Sequence, residues 1–152
     1  MRRKDREITD QSFMHDVLRE ADVVSLAFNT GEFPYVLQFN FVLYGDSIFI
    51  HCAPEGRKLD LIEHDSRVGF YAAVDIRVEK TTTRYRSVCG TGLATLVEDD
   101  TLKIEVLKAL AAKYNAPCTF PVPERTLAVT WVVRVSIESI TGKHSRSSEE
   151  KG

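Results

Sequence analysis

Cysteine is scarce in this chain of 152 residues: Cys52, Cys89 and Cys118 are odd in number and irregularly spaced. They can build neither a disulfide framework nor a paired CxxC zinc site, and a reducing cytoplasm is the compartment that fits. Cys52 and Cys89 fall inside apolar runs and read as small buried hydrophobes, which leaves Cys118, in a proline-flanked loop, as the exposed thiol. An excess of one charge is lacking too. With a net charge of -2 and its basic residues scattered, the chain offers no stripe for nucleic acid. No apolar run approaches the length of a bilayer span, and no apolar signal core follows the charged opening MRRKDREITD, so a soluble protein that is not secreted is predicted. Metal-ligand spacing is also absent. His51 has no second ligand at a recognisable distance along the chain, and His15, His64 and His144 fall in no pattern that suggests a site.

What is present suffices for one domain, since 43% of the residues are hydrophobic. Thr9, Asp10 and Ser12 offer capping oxygens to a first helix carrying Phe13, Val17 and Leu18. The period then changes to strands over Val23–Phe28, Pro34–Leu43 and Ser47–Cys52, joined by Asn29–Glu32 and by Tyr44-Gly-Asp46 into a predicted meander. A short helix opens at Gly56 and ends near His64-Asp-Ser66, and Arg67–Val74 resumes strand character. Asp75–Thr83 is polar and reads as a mobile connection. Tyr85–Val97 is a long strand interrupted by Gly90 and Gly92, which point to a bulge or to the close approach of another backbone or a flat ligand.

Asp99 or Asp100 caps the most regular helix, where Leu102, Val106, Leu110 and Tyr114 follow an i, i+4 progression beside Ile104, Leu107 and Ala111, a pattern of core packing. Asn115–Arg125 carries three prolines and reads as irregular, Leu127–Ile140 as a last strand containing Trp131, and the polar stretch from Thr141 as a disordered tail. Six strand-like segments and three helices that never alternate as βαβ units predict an antiparallel, mainly-β α+β domain around a closed or nearly closed barrel.

One segment carries chemistry. In His51-Cys-Ala-Pro-Glu-Gly-Arg57-Lys58-Leu-Asp-Leu-Ile62 an apolar strand ends in histidine and turns through glycine into two cations that open a helix. Helix N-termini present unpaired N–H groups and the positive end of the macrodipole, so Arg57 and Lys58 would add full charges to a site that already favours an anion such as phosphate. Solvated surface is the competing reading of such a pair.

The opening MRRKDREITD, the strand PYVLQFNFVLYGD, the segment IHCAPEGRKLDLI, the strand YRSVCGTGLATLVEDD and the terminal ITGK, in this order, resemble the pyridoxamine 5'-phosphate oxidase-related split-barrel flavoproteins. Most similar is the 5-nitroimidazole-resistance (Nim-type) branch. The resemblance implies a six-stranded antiparallel Greek-key split β-barrel with flanking helices over residues 1–143, a flexible tail over 144–152, and a homodimer with FMN at the subunit interface. It implies that Gln38, Phe39, Asn40 and Phe41 run beside the flavin ring and that Arg57 and Lys58 grip the FMN phosphate, one as a bidentate fork and the other as a point charge. His51 and Cys52 would lie near the flavin, His51 at the position of a Nim-type histidine and able to pass a proton or hydrogen bond to a reduced acceptor. Arg86 and Ser87 match the position where the partner subunit reaches the cofactor, although an ion-pair role serves Arg86 equally well. Trp131 would flank the ring or belong to the core or interface.

ITGKHSRSSEEKG stands where the oxidase proper has an arginine-containing end, which disfavours vitamin B6 synthesis. The function so implied is a flavin-dependent oxidoreductase that passes electrons from a small-molecule donor to a small electrophile such as a nitroaromatic. The alternative is a split-barrel carrier, sensor or scavenger of flavin or haem.

Overall fold

The computed structural model describes residues 4–117 and 119–145, so Cys118 and positions 146–152 of the expected tail lie outside the described residues. A single helical turn, Lys4–Arg6, leads into the short β1 (Glu7–Ile8) and then α1 (Gln11–Glu20). Asp10 caps α1 by accepting the Ser12 N–H at 3.0 Å. Met14, Val17 and Leu18 on α1 enter the main core, packing with Val24, Leu26 and Phe28 of β2 (Val24–Phe28). The remaining elements are β3 (Tyr35–Phe39), β4 (Val42–Tyr44), β5 (Ser47–Cys52), α2 (Arg57–His64), β6 (Arg67–Glu79), β7 (Thr82–Leu96), α3 (Asp100–Lys113), α4 (Glu124–Val129) and β8 (Trp131–Ser145).

All pairings are antiparallel and the sheet runs in the order β3-β2-β6-β7-β8-β5-β4, with β1 beside β8. The predicted strand Pro34–Leu43 is therefore broken. Its first half pairs with β2 at one end of the sheet and its second half pairs with β5 at the other, and Asn40–Phe41 carries the chain between them. A sheet whose two ends are bridged by one covalent segment must curl, and the result is a split β-barrel. If β3 and β4 are taken as one interrupted strand, the long strands number six, as predicted. The predicted meander is corrected, because β3 does not pair with β5.

Two further differences concern length. Asp75–Thr83 is not a mobile connection: β6 and β7 form one long hairpin across it, with the register shifting between Val74 and Arg77, where Asp75 adopts φ 55°. At the other end, α4 (Glu124–Val129) takes the last two residues of the segment expected to be irregular and Leu127–Val129 of the expected strand, and β8 runs on through Thr141–Ser145, paired with β7, in place of the expected tail. Polar composition misleads at both places because the backbone ladder, and not burial of side chains, holds these ends: Asp75–Glu79 is exposed on both faces, yet Arg77–Glu79 still pairs with β7, as 141–145 does. Cys89 is likewise corrected. It lies exposed on β7, with its sulfur 3.4 Å from the Thr141 hydroxyl, whereas Cys52 is half-buried.

Gly90 and Gly92 serve backbone approach. The β7–β8 register shifts between Thr91 and Gly92. A Cβ at Gly90 would stand 2.1 Å from the Ser139 carbonyl oxygen and 2.4 Å from the Phe70 ring, and one at Gly92 would stand 2.5 Å from the Ser136 oxygen. Gly90→Ala is therefore expected to cost about 3 kcal/mol, at the upper end of overpacking effects. The check is chemical denaturation, where the midpoint should fall with the slope unchanged.

Candidate functional site

The interruption of the strand at Asn40–Phe41 positions the site. The β4–β5 ladder stops at Val42–Phe49. Continued in register it would set Asn40 opposite His51 and Phe39 opposite Cys52, yet among the described residues Ile50–Cys52 pair only with Val133–Trp131 of β8. One edge of β3 and the last half of β5 thus face an opening with backbone hydrogen-bonding capacity left over. Gln38 and Asn40 are exposed there, while the Phe39 ring is half-buried and the Phe41 ring fully buried.

Successive side chains of β5 point to opposite sides of the wall. Ile48 and Ile50 enter the barrel interior, with Cys52 packed against the same cluster. Phe49 faces α3 and packs with Val106, Leu110 and Val132, and His51, next on that side, lines the cavity under α3. Burial pushes the Cys52 thiol upward and the Lys58 ammonium partly offsets this, so Cys52 is a poor thiolate.

Beyond Cys52 the chain turns through Gly56, whose φ of 130° favours glycine, into α2. No side chain caps that helix. Arg57 lies over the Tyr35 ring of β3, 4.8 Å from its centroid, which draws the start of α2 against the open edge. Neither Arg57 nor Lys58 meets a carboxylate among the described residues. An uncapped helix start with two cations free of acidic partners is suited to a phosphate.

Trp131 pairs with Cys52 across the β5–β8 ladder and is half-buried against the main core, so it stands at the margin of this opening. Arg86 and Ser87 lie elsewhere in the same chain. Arg86 donates to Asp75 at 2.6 Å and also to Glu20 of α1, and Ser87 is buried between Ala73 and Lys143 in the sheet.

Two features were missed by sequence reasoning. The first is a cavity of about 390 Å³ bounded by α3, the 115–130 segment and the barrel wall, lined among others by Asn40, His51, Leu107, Ala111 and Val122. The expectation that this helix serves core packing alone holds for Val106 and Leu110 but omits the cavity wall. The second is the Tyr114 hydroxyl, which accepts the Phe41 N–H at 2.9 Å and lies 2.7 Å from the Asp22 carbonyl and 2.9 Å from that of Phe41, with one proton to donate. Beside it, Lys113 sits 3.8 Å from the Phe41 ring centroid, and burial lowers its pKa to about 8 against a smaller upward pull from Asp22.

The split-barrel fold is shared with several solved structures. Residues 10–144 match the family model described as pyridoxamine 5'-phosphate oxidase, and the chain belongs to that family. A candidate 5-nitroimidazole antibiotic resistance protein from Bacteroides thetaiotaomicron has a TM-score of 0.80 at 21% identity, covering 90% of this chain and 85% of that one. A flavocytochrome from Azotobacter vinelandii gives 0.82 at 20%, covering 97% and 72%. An FAD- and haem-binding protein from Mycobacterium smegmatis gives 0.81 at 18%, covering 93% and 74%. No match was found among the curated proteins. Among the described residues, no group of histidine, cysteine and carboxylate side chains could hold a metal, and no helix is long and apolar enough to cross a membrane.

Tyr114→Phe would leave the buried Phe41 N–H without its partner, at a cost of about 2 kcal/mol, and should speed hydrogen exchange of that amide more than of its neighbours in β2. For Lys113 the sign runs upward with pH. The unfolded side chain, with its ordinary value of 10.5, holds a proton that the folded one at about 8 has lost, so stability rises across that window. Lys113→Met should therefore be most stabilising, relative to the parent, below pH 8. Its advantage should shrink toward pH 10, and a constant difference in denaturation midpoint would contradict this.

Proposed function

We propose that this chain is an FMN-binding oxidoreductase, acting as a homodimer, that passes electrons from a small-molecule donor to a small electrophile such as a nitroaromatic. The observation that carries the reading is the pair Arg57 and Lys58, without acidic partners, at the uncapped start of α2 beside the open edge of the barrel. Lys58 would neutralise phosphate charge and Arg57 would supply a two-pronged donor, with the first N–H groups of α2 completing the grip. Gln38 and Asn40 on one side, and the unpaired backbone near His51 and Cys52 on the other, offer hydrogen bonds to the polar edge of a flavin ring. When bound, FMN would supply the electron and hydride transfer chemistry.

His51 is exposed where the opening meets the cavity, so its imidazole can present a hydrogen bond or a proton to an acceptor there. Trp131, half-buried beside Cys52, would close the margin of the ring site. Arg86 would serve a second subunit only by exchanging Glu20 or Asp75 for another partner, and Ser87 by movement of the strands that bury it. A second reading, a flavin or haem carrier, is favoured by the two structural neighbours named for haem or cytochrome.

Protein purified from cells should show flavin absorption in the blue and near-ultraviolet. A Soret band would favour the carrier, and a colourless protein that takes up neither group would overturn both readings. Joint replacement Arg57→Ala and Lys58→Ala removes two charge-assisted contacts worth about 1.5 kcal/mol each. FMN affinity, read by fluorescence titration, should therefore fall by about a hundredfold.

A further inference from the structure

We infer that the cavity between α3 and the 115–130 segment is the electron acceptor's site, and that it selects an uncharged, mostly apolar ring compound with a hydrogen-bonding end. The inference rests on the flavin reading for its redox role. Its chemistry comes from the cavity alone. At about 390 Å³ the space lies within the range of small-molecule sites. Leu107 and Ala111 form the helix wall, and Pro117 and Val122 form part of the opposite one, so one chain supplies both faces.

Polar groups are few. Asn40, in the break after β3, and His51, on β5, flank the barrel opening, which places one polar edge of the cavity at that opening. Thr126 and Thr130 supply hydroxyls from α4 and the residue that follows it. Among the described residues, no lysine, arginine, aspartate or glutamate lines the space. A phosphate or carboxylate placed inside would lose water and gain no countercharge. The cation pair that suits an anion lies instead at the start of α2. The cavity is thus mismatched to a phosphorylated substrate of the kind in the family's name and matched to a neutral ring, with its apolar body against Leu107 and Ala111 and its acceptor atom toward His51 and Asn40.

The test uses the full chain loaded with FMN and two probes that share a nitrobenzene ring, uncharged 4-nitrobenzyl alcohol and anionic 4-nitrobenzoate. The alcohol should bind about tenfold or more tightly than the benzoate, as expected when a charge must be desolvated without a partner. Ala111→Phe should weaken the alcohol by about tenfold by filling the space, while FMN content stays at the parent level. Methyl resonances of Leu107, Ala111 and Val122 in the unaltered protein should shift with the alcohol, which keeps the test independent of whether the variant folds. Equal or tighter binding of the benzoate, unchanged affinity in a folded Ala111→Phe variant, or methyl shifts confined to other parts of the barrel would overturn the proposal. Removing FMN by the joint Arg57→Ala and Lys58→Ala change should leave the Ala111 shift in place. A parent protein that takes up no FMN yet shows that shift would sink the acceptor role and the flavin reading together, while neutral-ligand selectivity would stand.

Discussion

A single phenol oxygen fastens the corner on which the barrel depends. Asn40–Phe41 must carry the chain from one end of the sheet to the other, and a segment that leaves one ladder before joining the next has backbone groups with no strand to receive them. Tyr114 resolves part of this debt by accepting the Phe41 N–H and approaching the Asp22 and Phe41 carbonyls, so the end of α3 is tied to the corner and to the segment before β2. The Phe41 ring, wholly buried, anchors the same residue from the other side. Hydrogen bond and burial therefore act on one position, at the point where the chain passes from one end of the sheet to the other.

That corner also divides the protein into two packing environments. The interior of the barrel is filled by α1, α2 and the inward faces of β2, β5, β6, β7 and β8, and a smaller cluster under α3 joins Phe49, Val106, Leu110 and Val132. β5 is the shared wall, which is why Ser47–Ile50 is buried on both faces, a pattern of continuous hydrophobicity and not of alternation. Exposure returns only at His51, where the wall reaches the opening.

Local chemistry was legible where a few neighbouring residues decide it. The hairpin at Gly45-Asp46 and the helix start at Gly56 are set by turn stereochemistry and appear as read, and of the capping candidates Thr9, Asp10 and Ser12, and Asp99 or Asp100, the structure uses Asp10 and Asp99. The order of strands and helices was enough for an antiparallel barrel, and the resemblance to the family made it a split one. Decisions that depend on distant strands were not readable. Nothing within Pro34–Leu43 says that its halves pair with different partners, because Val, Tyr, Leu and Phe suit either ladder, and the long β6–β7 hairpin was hidden because its end is exposed on both faces. The cavity escaped for a related reason: Leu107 and Ala111 look like ordinary helix-core residues until the 115–130 segment fails to fill the space before them.

Charge separation across this narrow wall then bears on mechanism. His51 and Cys52 are neighbours in sequence, yet one lines a cavity with no fixed charge and the other lies inward, close enough to Lys58 for that ammonium to act on its thiol. Strand alternation alone produces this, since adjacent side chains leave a β-strand on opposite sides. An anion held at the start of α2 would be stabilised by Arg57, Lys58 and the helix dipole, while a neutral molecule under α3 would meet hydrogen bonds without a strong field. Two ligands of different charge could thus approach the same opening with their charged and neutral parts met by different groups, and Asn40, between the two sides, would be within reach of both.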